Sequence, residues 1–244
     1  MLAPSCSFRM SSEEGTNFTA FLKFPGLALL VRSECQPTAS ARGAEAELTP
    51  MLSLDAQRML LEDNAGGSSR VSEAMSFEVL HRAFGAQLLK LELELRYWPP
   101  NGSITDYSID IDGVQLGVSV TRAMGKPGVR FGVDAAEALL RKKLGGVIRS
   151  SQTCLDDLEK QILHIWVQDA ADAEAVERAY AVIEPELVSS TVVLVTVCGL
   201  QLLFHEKSRA PVPRCRVVKG IKDEVHLQVL RESDPLHCRA RLVC

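Results

Sequence analysis

Residues 105–121 set an acid, Asp106, at the head of one run of alternating apolar and polar residues, and two hydroxyls, Ser119 and Thr121, midway along a second. Between the runs stands Asp112-Gly113, a dipeptide that favours a two-residue hairpin turn. If it forms the loop, cross-strand partners have residue numbers summing to 225, so that Ile111 faces Val114, Asp110 faces Gln115, Ile109 faces Leu116 and Asp106 faces Ser119. A carboxylate at a strand start opposite a short polar pair is the setting of a hard-cation site, in which oxygen ligands hold an ion such as Mg²⁺. Two of the side chains which that chemistry needs are missing, because Ser119 and Thr121 stand in their places.

The hairpin puts Ile109, Ile111, Val114, Leu116, Val118 and Val120 on one face against a core, and Asp106, Asp110, Gln115, Ser119 and Thr121 on the other. Around it the pattern predicts a helix from Ser72 or Ser76 to about Lys90, with Met75, Val79, Leu80, Ala83, Phe84 and Leu88 as its apolar stripe. A period-two strand over Leu91–Trp98 follows, stopped by Pro99-Pro100. Next come a helix over Asp134–Ile148, a strand over Gln161–Val167, a helix over Ala170 to about Leu187 interrupted near Pro185, and a core strand over Thr191–Val197 with Leu200–Phe204 returning beside it. This order, αβββαβαβ, describes an α/β sandwich with a central mixed sheet and helices on both faces, its last helix-linked strands parallel.

The expected organisation is a low-order arm and linker over 1–71, a folded domain over 72–204 and a basic irregular tail over 205–244. Within the arm, Phe21–Val31 reads as a strand or short helix and Leu52–Leu61 as a helix. Residues 71–204 carry 12 Lys and Arg against 18 Asp and Glu, and residues 205–244 carry 9 against 5. An acidic domain weakens, without excluding, a nucleic-acid role, because such affinity rests on neutralising phosphates. The seven cysteines are scattered and never in a CxxC pair, which indicates neither a disulfide framework nor a zinc cage. The first residues lack a basic segment followed by an apolar run, so the expectation is an intracellular protein, cytoplasmic or nuclear, without a signal peptide. Leu187–Phe204 is an uncharged stretch of 18 residues, but its β-branched centre favours a buried strand over a membrane span.

The order of elements, with Asp106 opening the second strand and Ser119-Val120-Thr121 midway along the third, resembles the PD-(D/E)xK restriction-endonuclease-like superfamily over residues 72–204. The resemblance implies an endonuclease-like sandwich in which an acid at one strand start and an acid on its neighbour hold Mg²⁺, while a lysine two residues later helps activate water. Asp106 matches the first acid, Ser119 falls where the second belongs, and Thr121 falls where the lysine belongs. A neutral hydroxyl contributes far less than a carboxylate to holding a divalent ion, and Thr cannot supply the ammonium that steadies a developing phosphorane charge. Asp106, Ser119 and Thr121 thus read as a vestigial site. The replacement ligands it leaves open are Glu73 or Glu78 on the first helix and Asp110 along the strand, giving Asp106, Asp110 and Glu78 as the candidate metal set.

The expected function is a non-catalytic binding or scaffold module on that fold, with no cofactor and a protein as its partner. The alternative is a Mg²⁺-dependent nuclease or phosphodiesterase with a site rearranged around Asp106. His164, in an apolar strand beside Trp166, reads as a hydrogen-bonded core histidine, and His81 as a surface or groove residue. Gly125–Arg130 carries two cations but lacks phosphate-loop spacing, and Arg141-Lys142-Lys143 reads as a solvated helix face.

Overall fold

In the computed structural model, which describes residues 6–24, 26–37, 48–62, 69–100, 102–125 and 128–204, Asp112 and Gly113 both take positive φ, 53° and 83°. That is the backbone of the type I′ turn, whose twist matches the strands it joins. The strands are β4 (Tyr107–Ile111) and β5 (Val114–Arg122), and their register is the expected one, from Ile111 opposite Val114 to Tyr107 opposite Val118. Ile109, Ile111, Leu116, Val118 and Val120 enter one hydrophobic cluster with Val114 packed against it. The predicted core face is therefore the observed one.

Strands β1 (Cys6–Arg9), β2 (Leu29–Pro37), β3 (Gln87–Leu91), β6 (Lys160–Val167) and β7 (Val192–Val197) complete a mixed sheet in the order β1-β2-β7-β6-β5-β4-β3. Strands β2, β7, β6 and β5 run parallel, and β1, β3 and β4 pair antiparallel with their neighbours. Helices α1 (Ser12–Leu22), α2 (Leu54–Leu61) and α3 (Arg70–Phe84) bury Phe18, Met59 and Phe77 against one face. On the other lie α4 (Val133–Thr153) and α5 (Ala170–Tyr180), through Leu140, Leu144 and Val176. Short helices α6 (Pro185–Val188) and α7 (Gln201–Phe204) flank β7. Every residue of β6 is buried, as expected for a parallel strand covered on both sides.

Several expectations give way. Residues 6–37 are not a loose arm: they supply β1, α1 and β2, with β2 inserted beside β7. Leu29-Leu30-Val31 is too short an apolar run to declare a sheet strand, and only pairing with residues 192–197 decides it. The helix expected to reach Lys90 ends at Phe84, where Gly85 adopts left-handed backbone (φ 68°) and closes the last turn. Its N-cap is Ser69, three residues before the expected start. The alternating run from Leu91 to Trp98 is not a strand. Gln87–Leu91 pairs with β4, and Glu92–Glu94 turns as a 3₁₀ segment held by Glu94, whose carboxylate accepts the Leu91 N–H at 2.8 Å. Leu200–Phe204 coils as α7 instead of returning as a strand. Leu187–Phe204 divides into α6, β7 and α7, and among the described residues no helix is long and apolar enough to cross a membrane. The expected basic tail, 205–244, lies outside the described residues, as do Lys126 and Pro127.

Two buried polar devices lock these layers. Lys160 opens β6 with 2% of its surface exposed, and its ammonium donates to the carbonyls of Phe21 (2.7 Å), Phe24 (2.6 Å) and Leu27. It closes the carboxyl end of α1, where free carbonyls and the helix dipole both favour a cation. His164, fully buried, contacts the Ser76 hydroxyl through Nδ1 (2.6 Å) and the Thr196 hydroxyl through Nε2 (2.8 Å). Ser76 continues to the Tyr107 hydroxyl (2.7 Å) and Thr196 to that of Ser33 (2.8 Å), so one chain of hydrogen bonds crosses α3, β4, β6, β7 and β2. Burial drives the imidazole pKa down to about 3, which keeps the ring neutral. The histidine is a core residue with its ring nitrogens engaged.

Candidate functional site

The amino end of α3, the first residue before β4, the carboxyl end of β5 and the middle of α4 converge on one cavity of about 240 Å³. Its lining includes Ser72, Glu73, Asp106, Thr121, Arg122 and Lys143. In open α/β sheets this end of the parallel strands is where ligands bind. The local sequence explains the arrangement. The β4–β5 ladder ends at Tyr107 opposite Val118, and one residue earlier Asp106 donates its own N–H to the Val118 carbonyl at 3.1 Å. Its carboxylate turns along β5 and accepts the Val120 N–H at 2.6 Å.

Asp106 thus grips the backbone on either side of Ser119 instead of facing its hydroxyl across a rung. Thr121 lines the cavity with Asp106, and Ser119 is not among the lining residues. Of the three residues read as a vestigial site, the cavity gathers two.

The candidate metal set separates further. Asp110 lies four residues along the strand from Asp106, roughly 13 Å at the rise of a β-strand, and accepts the Gly113 N–H at 3.0 Å as part of the hairpin turn. Glu78 faces α2, where it accepts the Ser53 N–H at 2.9 Å and pairs with Arg82. Both carboxylates are committed to local structure. The acid that reaches Asp106 is Glu73, the other helix position left open by the sequence. Glu73 sits one α3 turn above Ser69 and is 6% exposed. Among the described residues no group of three or more His, Cys, Asp or Glu side chains is arranged to hold a metal.

Electrostatics single out Asp106. The residue keeps some exposure, but its carboxyl group is surrounded by protein. Desolvation first, then the negative charge of Glu73, push its pKa up to about 8. The Val120 N–H and Lys143 pull the other way without reversing the shift. At neutral pH the cavity therefore holds one protonated carboxyl beside a second acid. A carboxyl in that state both donates and accepts hydrogen bonds and can exchange a proton near physiological pH. Arg122 is anchored by donating to the Leu203 carbonyl at 3.2 Å, and Lys143, expected to face solvent, lines the cavity. No spacing in the sequence pairs Lys143 with Asp106. Only the packing of α4 beside β5 does so.

No family model matches this sequence, and no solved structure matches it. The chain is similar to the AAC-rich mRNA clone AAC4 protein of Dictyostelium discoideum, 42% identical over 152 residues that cover 59% of this chain and 22% of the relative. It spans about a fifth of that protein's length. The relative's name states no activity.

Proposed function

We propose that this protein is a binding or scaffold module on a restriction-endonuclease-like sandwich whose metal site has degenerated. The order α3-β3-β4-β5-α4-β6, with an acid heading β4, is the arrangement that this reading needs. The observation that carries it is the state of Asp106. Its carboxyl, with its pKa pushed up by burial and by Glu73, is bound to the β5 backbone, while β5 offers Ser119 and Thr121 where a second acid and an ammonium would serve hydrolysis. A hydroxyl at position 121 cannot steady the charge that develops on a phosphoryl group in flight.

A second reading, a Mg²⁺-dependent phosphodiesterase, is favoured by one feature: Glu73 and Asp106 line the same cavity with Lys143. Two carboxylates suffice for a Mg²⁺ that keeps most of its waters, so the donor set fits, with Asp106 and Glu73 as the residues that would hold the ion. When bound, the ion would polarise a phosphate and lower the pKa of water. The remaining work of that reading falls to Lys143 and Arg122, which would orient the phosphate.

The two readings separate in a thermal melt of the full chain titrated with Mg²⁺ or Mn²⁺ to about 100 times a millimolar dissociation constant, or less for tighter binding. Ligand specific to the native state at that excess adds about 2.7 kcal/mol of stability. The scaffold reading expects no rise in Tm beyond that of a matched ionic-strength control, in wild type and Asp106→Ala alike. A saturable rise abolished by Asp106→Ala, together with cleavage of a nucleic-acid substrate, sinks it.

A further inference from the structure

The buried pair Cys35 and Cys198 lies toward the carboxyl ends of the neighbouring parallel strands β2 and β7, apart from the cavity around Asp106. The register of these strands runs from Leu29 opposite Val192 to Glu34 opposite Val197. One step further sets Cys35 beside Cys198. Two residues earlier on the same side, the Ser33 and Thr196 hydroxyls touch at 2.8 Å, so side chains on this face meet across the β2–β7 pair. Both cysteines belong to the same core cluster, and the Cys35 thiol hydrogen-bonds the Cys198 sulfur. Neighbouring strands run about 4.8 Å apart, inside the Cα separation that a disulfide spans.

We propose that Cys35 and Cys198 are a reversible redox pair, joined by a disulfide when the protein meets a peroxide. Neither thiol has a place in the binding site described above, so this inference is independent of the proposed function. Cys198 is the attacking sulfur. It receives hydrogen bonds from Cys35 and the Leu200 N–H, and the first of these outweighs burial in drawing its pKa down. The Cys198 thiolate attacks one peroxide oxygen, the O–O bond breaks, and a sulfenic acid forms while the departing hydroxide takes up the thiol proton as water. The Cys35 thiolate then attacks the sulfenic sulfur, the S–S bond forms, the S–O bond breaks, and the second hydroxide leaves as water with the Cys35 proton. Two electrons pass from the two thiols to the peroxide.

With 2% and 1% of their surface exposed, the two cysteines react when the strand ends open. Both strands stop beside this rung, β2 at Pro37 and β7 at Val197, and Gly199 just beyond is exposed. The bond closes the chain from residue 35 to residue 198 and fastens the β1–α1–β2 unit to the rest of the sheet.

The test treats the reduced, folded full-length chain with hydrogen peroxide, raised to the dose that fully oxidises the half-buried Cys154, and maps the digest without reduction. The expected product is a linked peptide pair containing Cys35 and Cys198, two hydrogens lighter than the free peptides. Its Tm stands roughly 5–15 °C above the reduced form, and dithiothreitol reverses both changes. Cys35→Ser and Cys198→Ser lose the link and the rise. The proposal is overturned if Cys154 is oxidised while Cys35 and Cys198 remain alkylatable thiols, or if either is found linked to another cysteine in folded protein. Wild-type mapping decides the matter even if a serine variant does not fold.

Discussion

Replacing Asp106 by Asn tests the electrostatics of the candidate cavity without changing its shape. The amide oxygen still accepts the Val120 N–H, but the group no longer titrates. In the wild type the carboxyl pKa stands at about 8 in the folded state against roughly 3.9 unfolded. The folded state therefore holds the proton more tightly, and the stability which that proton contributes is fully present below the unfolded pKa. It is lost as pH rises through the folded pKa.

Each unit is worth about 1.4 kcal/mol, so the loss between pH 5 and pH 9 comes to roughly 4 kcal/mol for wild type and none for the variant at this position. Urea unfolding at pH 5, 7 and 9 should show the gap between Asp106→Asn and wild type shifting by that amount in the variant's favour. A carboxyl ¹³C titration should place the Asp106 midpoint near the same pH, and Glu73→Gln should lower it. Stability curves that stay parallel from pH 5 to pH 9 would refute the assignment of a proton to this carboxyl and, with it, the reading of the cavity.

Lys160→Met leaves the Phe21, Phe24 and Leu27 carbonyls without their ammonium, and should cost about 3–5 kcal/mol in urea unfolding, with amide exchange rising first in α1; a loss under about 1 kcal/mol would mean water replaces the lysine freely. His164 works opposite to Asp106 in its pH sense. Its folded pKa of about 3 lies below the unfolded 6.5, so its contribution is present above pH 6.5 and is lost as pH falls through 3, about 5 kcal/mol in all; His164→Gln should flatten that acid limb, and an unchanged limb would place the ring's proton elsewhere. Ile109→Asp puts a charge into the core face of the hairpin and should unfold the chain, read by far-UV circular dichroism, because burying an unpaired charge costs several kcal/mol.

The parts of the fold that could be read in the chain are those whose determinants are local. Asp112-Gly113 fixes a turn, the turn fixes a register, and the register fixes which side chains meet the core, all within residues 107–118. The αβββαβαβ order over 72–204 followed from the same kind of pattern, with its errors where a single residue overrode periodicity. Gly85 stopped a helix that the apolar stripe would have continued, and Glu94 bent into a turn a run whose alternation favoured a strand.

The amino-acid order alone therefore determined a mixed α/β sandwich, a hairpin in register, a histidine destined for the core and an acid at a strand head. Tertiary structure alone decided that β2 belongs beside β7, that Lys160 closes a helix some 140 residues earlier, and that Glu73 joins Asp106 while Glu78 and Asp110 do not. The physical reason is the range of the interactions. Turn geometry and amphipathic period act over a few residues, whereas the pairing of strands, the desolvation of a carboxyl and the approach of one charge to another depend on segments brought together only when the whole core is buried.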